Sequence, residues 1–519
     1  MNHRAIVSSS REFQSLRRPF SNFDYIEDRF QAQPAIRRLF SQSRSFDGKT
    51  LVLEKISASG VIAAENEEIL EQYPDHRMEG LLRITFWTSA FASDDELDQQ
   101  PPEKLLGYAI LKRDVVPNRN YDRWHIFESV FCKHPHEHNY VPGTRAFRLR
   151  VGRRVLTRMG VLYCQQNGLN KACAQVALRS ICAQHIDDAE LPYRKINCLA
   201  ASASPMIDPA KGLDAVQIRA VLNGLKIGFT DVDYANSSDK TRRDLPYQKF
   251  LYAGIESGAG ALLGFELSGP RAQGQYHIVP FFGHTFNQDT WVPNAETGYF
   301  HVGEKTRYIP SEAWLSSFIG HDDNFGSNFC VPRLYVKPEQ VQYVATLYPS
   351  TVRYSGVIAE AIAVDYLYSI LPEFGISDEK WLRRLLQYSN DQQVVLRALP
   401  MSNAEYTRHL SQIDDWNHKR EKTSICFALK RHLPDNLWVV EVSLPELFPA
   451  NHRKLGEIVL DATKAATQTR DFSTFLFARF PGRFVFLGKM NRDGKPEFVI
   501  VPSALKSHTP LYTKKASAE

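Results

Sequence analysis

Between residues 165 and 181 the chain changes abruptly from a turn-prone polar run, Gln165-Gln166-Asn167-Gly168-Leu169-Asn170, to a helical pattern. Ala174, Ala177, Leu178 and Ile181 fall at i, i+3, i+4 and i+7, so one face of that helix must be buried. Cys173 lies in its first turn. Unpaired backbone N–H groups and the positive end of the helix dipole favour a thiolate over a thiol there. The thiolate is the nucleophilic form, so the position suits covalent catalysis. Taken alone, a small cysteine at the start of a core helix is more often inert packing. Other segments of the chain change that balance.

A chain of 519 residues is too long for one core, and about three domains are expected. Hydrophobic content of 43% with 23% charged residues is ordinary for a soluble globular protein. A net charge of +5 is small for this size and gives no electrostatic support for a nucleic-acid partner. Seven cysteines without regular spacing argue against a disulfide framework and for a reducing compartment. No window approaches a membrane span, and the first residues lack the apolar core of a signal peptide. The expectation is a cytoplasmic protein with no membrane partner; the oligomeric state is left open.

In chain order, residues 1–48 are rich in Arg, Ser and Phe and read as a basic N-terminal arm. Residues 49–155 read as a β-rich domain, with β-branched and aromatic runs at Thr50–Lys55, Leu81–Trp87, Leu106–Leu111 and Trp124–Phe131. Asp94–Glu103 reads as a polar loop between two of them. Cys132, His134, His136 and His138 alternate and are all capable of ligating zinc, but Pro135 interrupts the run and the spacing matches no common zinc motif. A solvated loop is expected there, with no metal.

Beyond the Cys173 helix come helical patterns at Gly212–Leu225, with Asp214 as its N-cap, and Tyr247–Ser257. The Gly258–Phe265 run reads as a turn into a buried strand, and Tyr276–Gly283 as the next strand, with His277 near its start. Phe318–Gly326 is a short apolar strand ending in Asp322 and Asp323. Asx-rich turns are common at strand ends. The stretch between these strands, Thr285–Ser316, carries Trp291, Tyr299, Tyr308 and Trp314. A long insertion of this kind is expected to line a substrate cleft, with Trp291 as a binding residue; the alternative is a seam against the C-terminal domain.

A helix-borne Cys, two further helices, a Gly-rich approach to a strand, a strand-borne His and a strand-end Asp together resemble the papain-like cysteine peptidases. The likeness is greatest to the branch of bacteriocin-leader (double-glycine) peptidases. Gln166 through Leu178 resembles its nucleophile helix with the preceding oxyanion Gln. Tyr252 through Gly283 resembles its His-bearing block. Asp322-Asp323-Asn324-Phe325-Gly326 resembles its Asp-Pro-x-x-Gly turn, with Asp323 where Pro is usual. The resemblance covers residues 156–336 and implies a Cys173–His277–Asp322 triad with Gln166 at the oxyanion. The family's Gln lies slightly closer to its Cys, so Gln165 and Asn167 are also eligible. The interval from His277 to Asp322 is long, which leaves Asp323 and Asp289 as rival orienting acids; Asn287–Trp291 resembles papain's Asn-Ser-Trp.

The resemblance therefore implies a cysteine peptidase or isopeptidase acting on a protein or peptide through an acyl-thioester, with no cofactor. The same triad could serve acyl transfer or transglutamination, and the fold could also persist as a non-catalytic binding module. Residues 337–519 offer no chemistry. They read as helices at Gly356–Leu371 and Asp378–Tyr388, then α+β, with strands at Ile425–Lys430, Leu437–Val442, Thr474–Arg479, Arg483–Leu487 and Glu497–Val501. His452, Glu457 and Asp461 read as a solvated face, and Thr513–Glu519 as a disordered tail. The whole is expected to be an α+β protein with a papain-like core flanked by a β-rich N-terminal and an α+β C-terminal domain.

Overall fold

The computed structural model describes residues 11–16, 22–31, 33–134, 136, 139–169, 173–187, 190–204, 212–239, 241, 245–267, 274–286, 308–375, 379–391, 393–412, 419–448, 453–466, 472–490, 496–503 and 511–512. Apolar, β-branched and aromatic runs in the first third pair as an antiparallel sheet in chain order: β1 (Arg11–Ser15), β2 (Thr50–Lys55), β3 (Arg77–Trp87), β4 (Leu105–Val116) and β5 (Tyr121–Phe131). All four expected strands of this region are present. Residues 1–48, expected as a basic arm, instead supply β1 and two helices, α1 (Asn22–Phe30) and α2 (Pro34–Ser45). Pro34 suits the first turn of α2, and Ile36, Leu39 and Phe40 bury one face of it against Phe86 and Ile126 of the sheet. A further helix, α3 (Gly60–Gln72), follows β2. Asp94–Gln99 is helical rather than a loop, because Ser93 Oγ accepts the Glu96 N–H at 3.3 Å and caps it.

Helix α4 (Cys173–Cys182) has the cysteine as its first described residue. The central sheet is antiparallel and contains β6 (Gly228–Asp233), β7 (Ala261–Glu266), β8 (Tyr276–Phe286), β9 (Leu315–Asp322), β10 (Gly326–Pro332) and β11 (Val341–Tyr348), in the order β10-β9-β8-β7-β11-β6. Ile278 and Phe282 of β8 pack with Ala177, Leu178 and Ile181 of α4. Val279 and Phe281 pack with Phe250, Leu251 and Ile255 of α5 (Tyr247–Glu256). The alternation of one strand thus buries two helices. Gly260, before β7, has φ +80°, and a Cβ there would collide with Ile181 of α4 and approach Phe281 O at 2.8 Å. Gly260→Ala is expected to cost about 2–4 kcal/mol, from left-handed strain plus overpacking, read as a lowered melting temperature. Gly258→Ala, with φ +74° but nothing within 4 Å, should cost only the strain.

The C-terminal sheet runs β12 (Val395–Ser402), β13 (Asn436–Ser443), β14 (Gly456–Asp461), β15 (Phe475–Phe480), β16 (Arg483–Met490) and β17 (Pro496–Pro502). Its first edge is completed by Ile309–Pro310, which pairs parallel to β12 from within the chain that leads into β9. Helix α6 (Gly356–Ile370) packs between α5 and strands β12 and β13. Tyr308 is fully buried in this C-terminal core, and Trp314 packs on Phe448, with ring centroids 5.3 Å apart. These two aromatics therefore form the seam and not the cleft; Trp291 and Tyr299 lie outside the described residues.

Two further expectations are corrected. Ile425–Lys430 is part of a helix, Lys419–His432, since Ile425, Leu429 and Leu433 recur at i, i+4 and i+8 and pack on the second C-terminal core. Glu457 and Asp461 are not a solvated face: both lie buried on β14. Glu457 accepts from Lys454 Nζ at 2.7 Å, Arg479 Nη2 at 2.8 Å and Tyr406 OH at 2.5 Å. Lys454 also donates to Glu441 at 3.0 Å, Glu441 lies 3.8 Å from Arg397, and Arg397 donates to Glu256 of α5 at 2.9 Å. A line of buried charges thus crosses from the C-terminal sheet into the central unit. His452 and the tail Thr513–Glu519 lie outside the described residues. The protein is α+β, and none of its described helices is long and apolar enough to cross a membrane.

Candidate active site

Cys173 is the first described residue of α4, His277 is the second residue of β8, and Asp322 is the last residue of β9, the strand paired with β8. An interval of 45 positions is therefore closed by neighbouring strands. His277 Nε2 hydrogen-bonds Asp322 Oδ2 at 3.1 Å and lies 3.5 Å from Asp323 Oδ1. The Cys173 side chain lies near enough to the same ring to favour its charged form. Asp322 is oriented by the turn that follows it: its Oδ1 accepts the N–H groups of Asn324 at 2.9 Å and Phe325 at 3.0 Å. The Asx turn and the site acid are the same residue. Tyr163 OH, fully buried, donates to the Asp322 carbonyl at 3.3 Å.

Burial opposes a charge on His277, but the hydrogen bond to Asp322 and the nearby Cys173 and Asp323 outweigh it and raise the imidazole to about 10. Burial also works against an ionised Asp322; the His277 contact and the two backbone N–H groups reverse it and hold the carboxyl below its ordinary value. Asp323 is pushed up to about 6, by burial first and by Asp322 as well, against the pull of His277. Its Oδ2 has no hydrogen-bond partner among the described residues. His277, Asp322 and Asp323 bring possible ligand atoms within 4.8 Å of one another, the one group of three able to hold a metal ion among the described residues. Their contacts at 3.1 and 3.5 Å are equally those of an acid–base cluster.

The loop before Cys173 separates the three oxyanion candidates. Gln165 is buried, its N–H donating to Ile126 O at 3.0 Å and its Oε1 accepting the Ile126 N–H at 2.9 Å. Asn167 is buried too, with Nδ2 donating to Glu65 of α3 at 3.2 Å. Gln166 alone is half-buried, and its Nε2 donates to Asn324 Oδ1 at 2.6 Å, beside the acid turn. Asp289 and Trp291 lie outside the described residues. His134 and His136 hydrogen-bond Asn328 Oδ1 at 3.0 Å and Asn328 O at 3.3 Å, respectively; His138 is outside the described residues.

Sequence reasoning missed the groups behind the site. Glu65 also pairs with Lys112 at 3.0 Å, and Tyr73 OH donates to Leu169 O at 3.2 Å, so the N-terminal sheet and α3 hold the loop from behind. Arg38 and Gln42 of α2 hold the strand after the acid turn. The only signal for these was the apolar spacing of Ile36, Leu39 and Phe40, which marks a helix without naming what its polar side meets. The arrangement brings a thiol, an imidazole and two carboxylates together, with the Gln166 amide on the turn that follows Asp322. No family model, curated protein or solved structure matches the chain.

Proposed function

We propose that the protein is a thiol hydrolase of peptide or isopeptide bonds, with residues 156–336 as a papain-like core. The convergence of Cys173 and Asp322 on the His277 ring carries this reading. With Nε2 turned to Asp322, Nδ1 is the nitrogen left for the thiol. Cys173 Sγ, as the thiolate of an ion pair with the already protonated His277 ring, attacks the carbonyl carbon. The oxyanion takes hydrogen bonds from the Cys173 N–H and from the Gln166 amide, which leaves Asn324 to do so. The C–N bond breaks as His277 returns its proton to the amine. Water, deprotonated by His277, then cleaves the thioester, releasing the acid and restoring the thiol. Free cysteines at all seven positions support a reducing, cytoplasmic setting.

Iodoacetamide labelling near neutral pH tests the nucleophile. Cys173 is expected to react fastest, and a Cys173→Ala protein to lose both that label and the cleavage of a mixed peptide library. Cys164 and Cys182 are buried, so the cysteines to be discriminated are the exposed Cys132 and Cys198 and the half-buried Cys330 and Cys426. Faster labelling at any of these, or cleavage that survives Cys173→Ala, sinks the reading.

A further inference from the structure

We infer that Arg38 and Gln42 of α2 are positioning residues for the His277–Asp322 pair, acting through the hairpin that carries the acid. The inference rests on the triad reading above and adds residues that lie far outside the core in sequence. Strand β10 returns from the Asp322 turn and pairs with β9, Gly326 opposite Asp322 and Phe329 opposite Gly320. Arg38 forks over its backbone: Nε donates to Ser327 O at 2.6 Å and Nη2 to Asn328 O at 2.6 Å. Gln42 Nε2 donates to Ser327 O at 2.6 Å, and Ser327 Oγ donates back to Gln42 Oε1 at 2.9 Å.

The same guanidinium lies 4.5 Å over the Phe329 ring, and Arg38 Cδ occupies the space where a Cβ on Gly326 would come within 2.8 Å. Asn328 has φ +53°, an uncommon conformation for a residue other than glycine. That conformation is tied down at its N–H, its carbonyl and its side-chain oxygen. Its N–H donates to His321 Nδ1 at 3.1 Å, its Oδ1 and O take His134 and His136, and its O takes Arg38. Fixing residues 327 and 328 fixes the far end of a turn whose near end is Asp322. A half-buried fork over two carbonyls is also a costly way merely to attach a helix, since the guanidinium gives up part of its water for it.

The test reads the pair directly, without a substrate. Wild-type protein carrying 13C-labelled histidine is titrated by NMR, the His277 signal being assigned with His277→Gln. The charged and titratable groups that bear on this ring are Asp322, Asp323 and Cys173, with Arg38 and Arg123 acting on the two carboxylates. Arg38→Lys keeps that cation but cannot fork, and Gln42→Ala changes no charge at all. In wild type the midpoint is expected near 10. In both variants it should fall by roughly one pH unit or more, towards the value in Asp322→Asn, with circular dichroism unchanged. A purely structural anchor would lower the melting temperature and leave the midpoint in place, which overturns the inference; Gln42→Ala decides it if Arg38→Lys fails to fold. An ordinary midpoint in the wild type overturns the triad reading and this inference together.

Discussion

Asp322→Asn is expected to fold normally and to lose about three orders of magnitude in kcat/KM on any peptide the protein cleaves. The fold should persist because an Asn Oδ1 can still accept the Asn324 and Phe325 N–H groups that shape the turn. The loss follows from the ring: a neutral amide neither holds the imidazole in its tautomer nor stabilises its charge, and loss of such an acid costs roughly 10⁴ elsewhere. Asp323, 3.5 Å from the same Nε2, moderates the loss above pH 6, where its carboxyl is ionised, so the double variant Asp322→Asn/Asp323→Asn should fall further. The pH profile gives the sign. His277 is raised, so its contribution to stability is full below its unfolded value of about 6.5 and disappears as pH rises through about 10. Asp322 is lowered, so its contribution is full above about 3.9 and fades as pH falls. The alkaline limb of kcat/KM therefore lies near 10 in wild type and moves towards neutrality in Asp322→Asn. An alkaline limb that stays in place would remove Asp322 from the mechanism.

Glu457→Gln carries the largest expected loss of stability, on the order of 3–5 kcal/mol. Burial disfavours the Glu457 carboxylate, yet Arg479 and Lys454 reverse this and hold it well below the usual range. The amide leaves both cations buried with one anion fewer, and the remaining carboxylate, Glu441, is already shared with Arg397. A drop of roughly 10 °C in the melting of the C-terminal unit is expected. Glu446→Ala is the control: its pair with Arg384 is 3.4 Å long and exposed, worth less than about 1 kcal/mol. Equal effects of the two substitutions would mean that the buried line contributes nothing.

What could be read from the chain was what periodicity and local chemistry encode. The first-sheet strands are β-branched and aromatic runs, the Cys173 helix has one apolar face, and Asp214 caps its helix with Gln217 as a full capping box. His277 and Asp322 were each visible at a strand end next to a turn, but only the resemblance to papain-like peptidases paired them. Other features depended on partners far away in sequence. Ile425–Lys430 is too short an apolar run to tell strand from helix. Glu457 was read as surface because a charged residue in a strand gives no sign of the two cations that meet it. Arg38 meets Ser327 across 289 positions, and nothing local to either residue announces the other. The choice among Gln165, Gln166 and Asn167 needed the strand and helix behind the loop, which the loop's own residues do not describe.

The parallel pairing of Ile309–Pro310 with β12 bears on how this chain can have been inherited. The segment that reaches β9, and hence Asp322, first crosses into the neighbouring sheet as its edge, buries Tyr308 and Trp314 there, and returns. A recombination event that exchanged everything after residue 337 would leave Ile309 and Pro310 without their sheet and strip that sheet of its edge strand. The two units are spliced through one another rather than strung in series, so shuffling at the boundary between them is penalised. A substitution at Ile309 or Pro310 therefore has to suit β12 as well as the strand that the segment leads into.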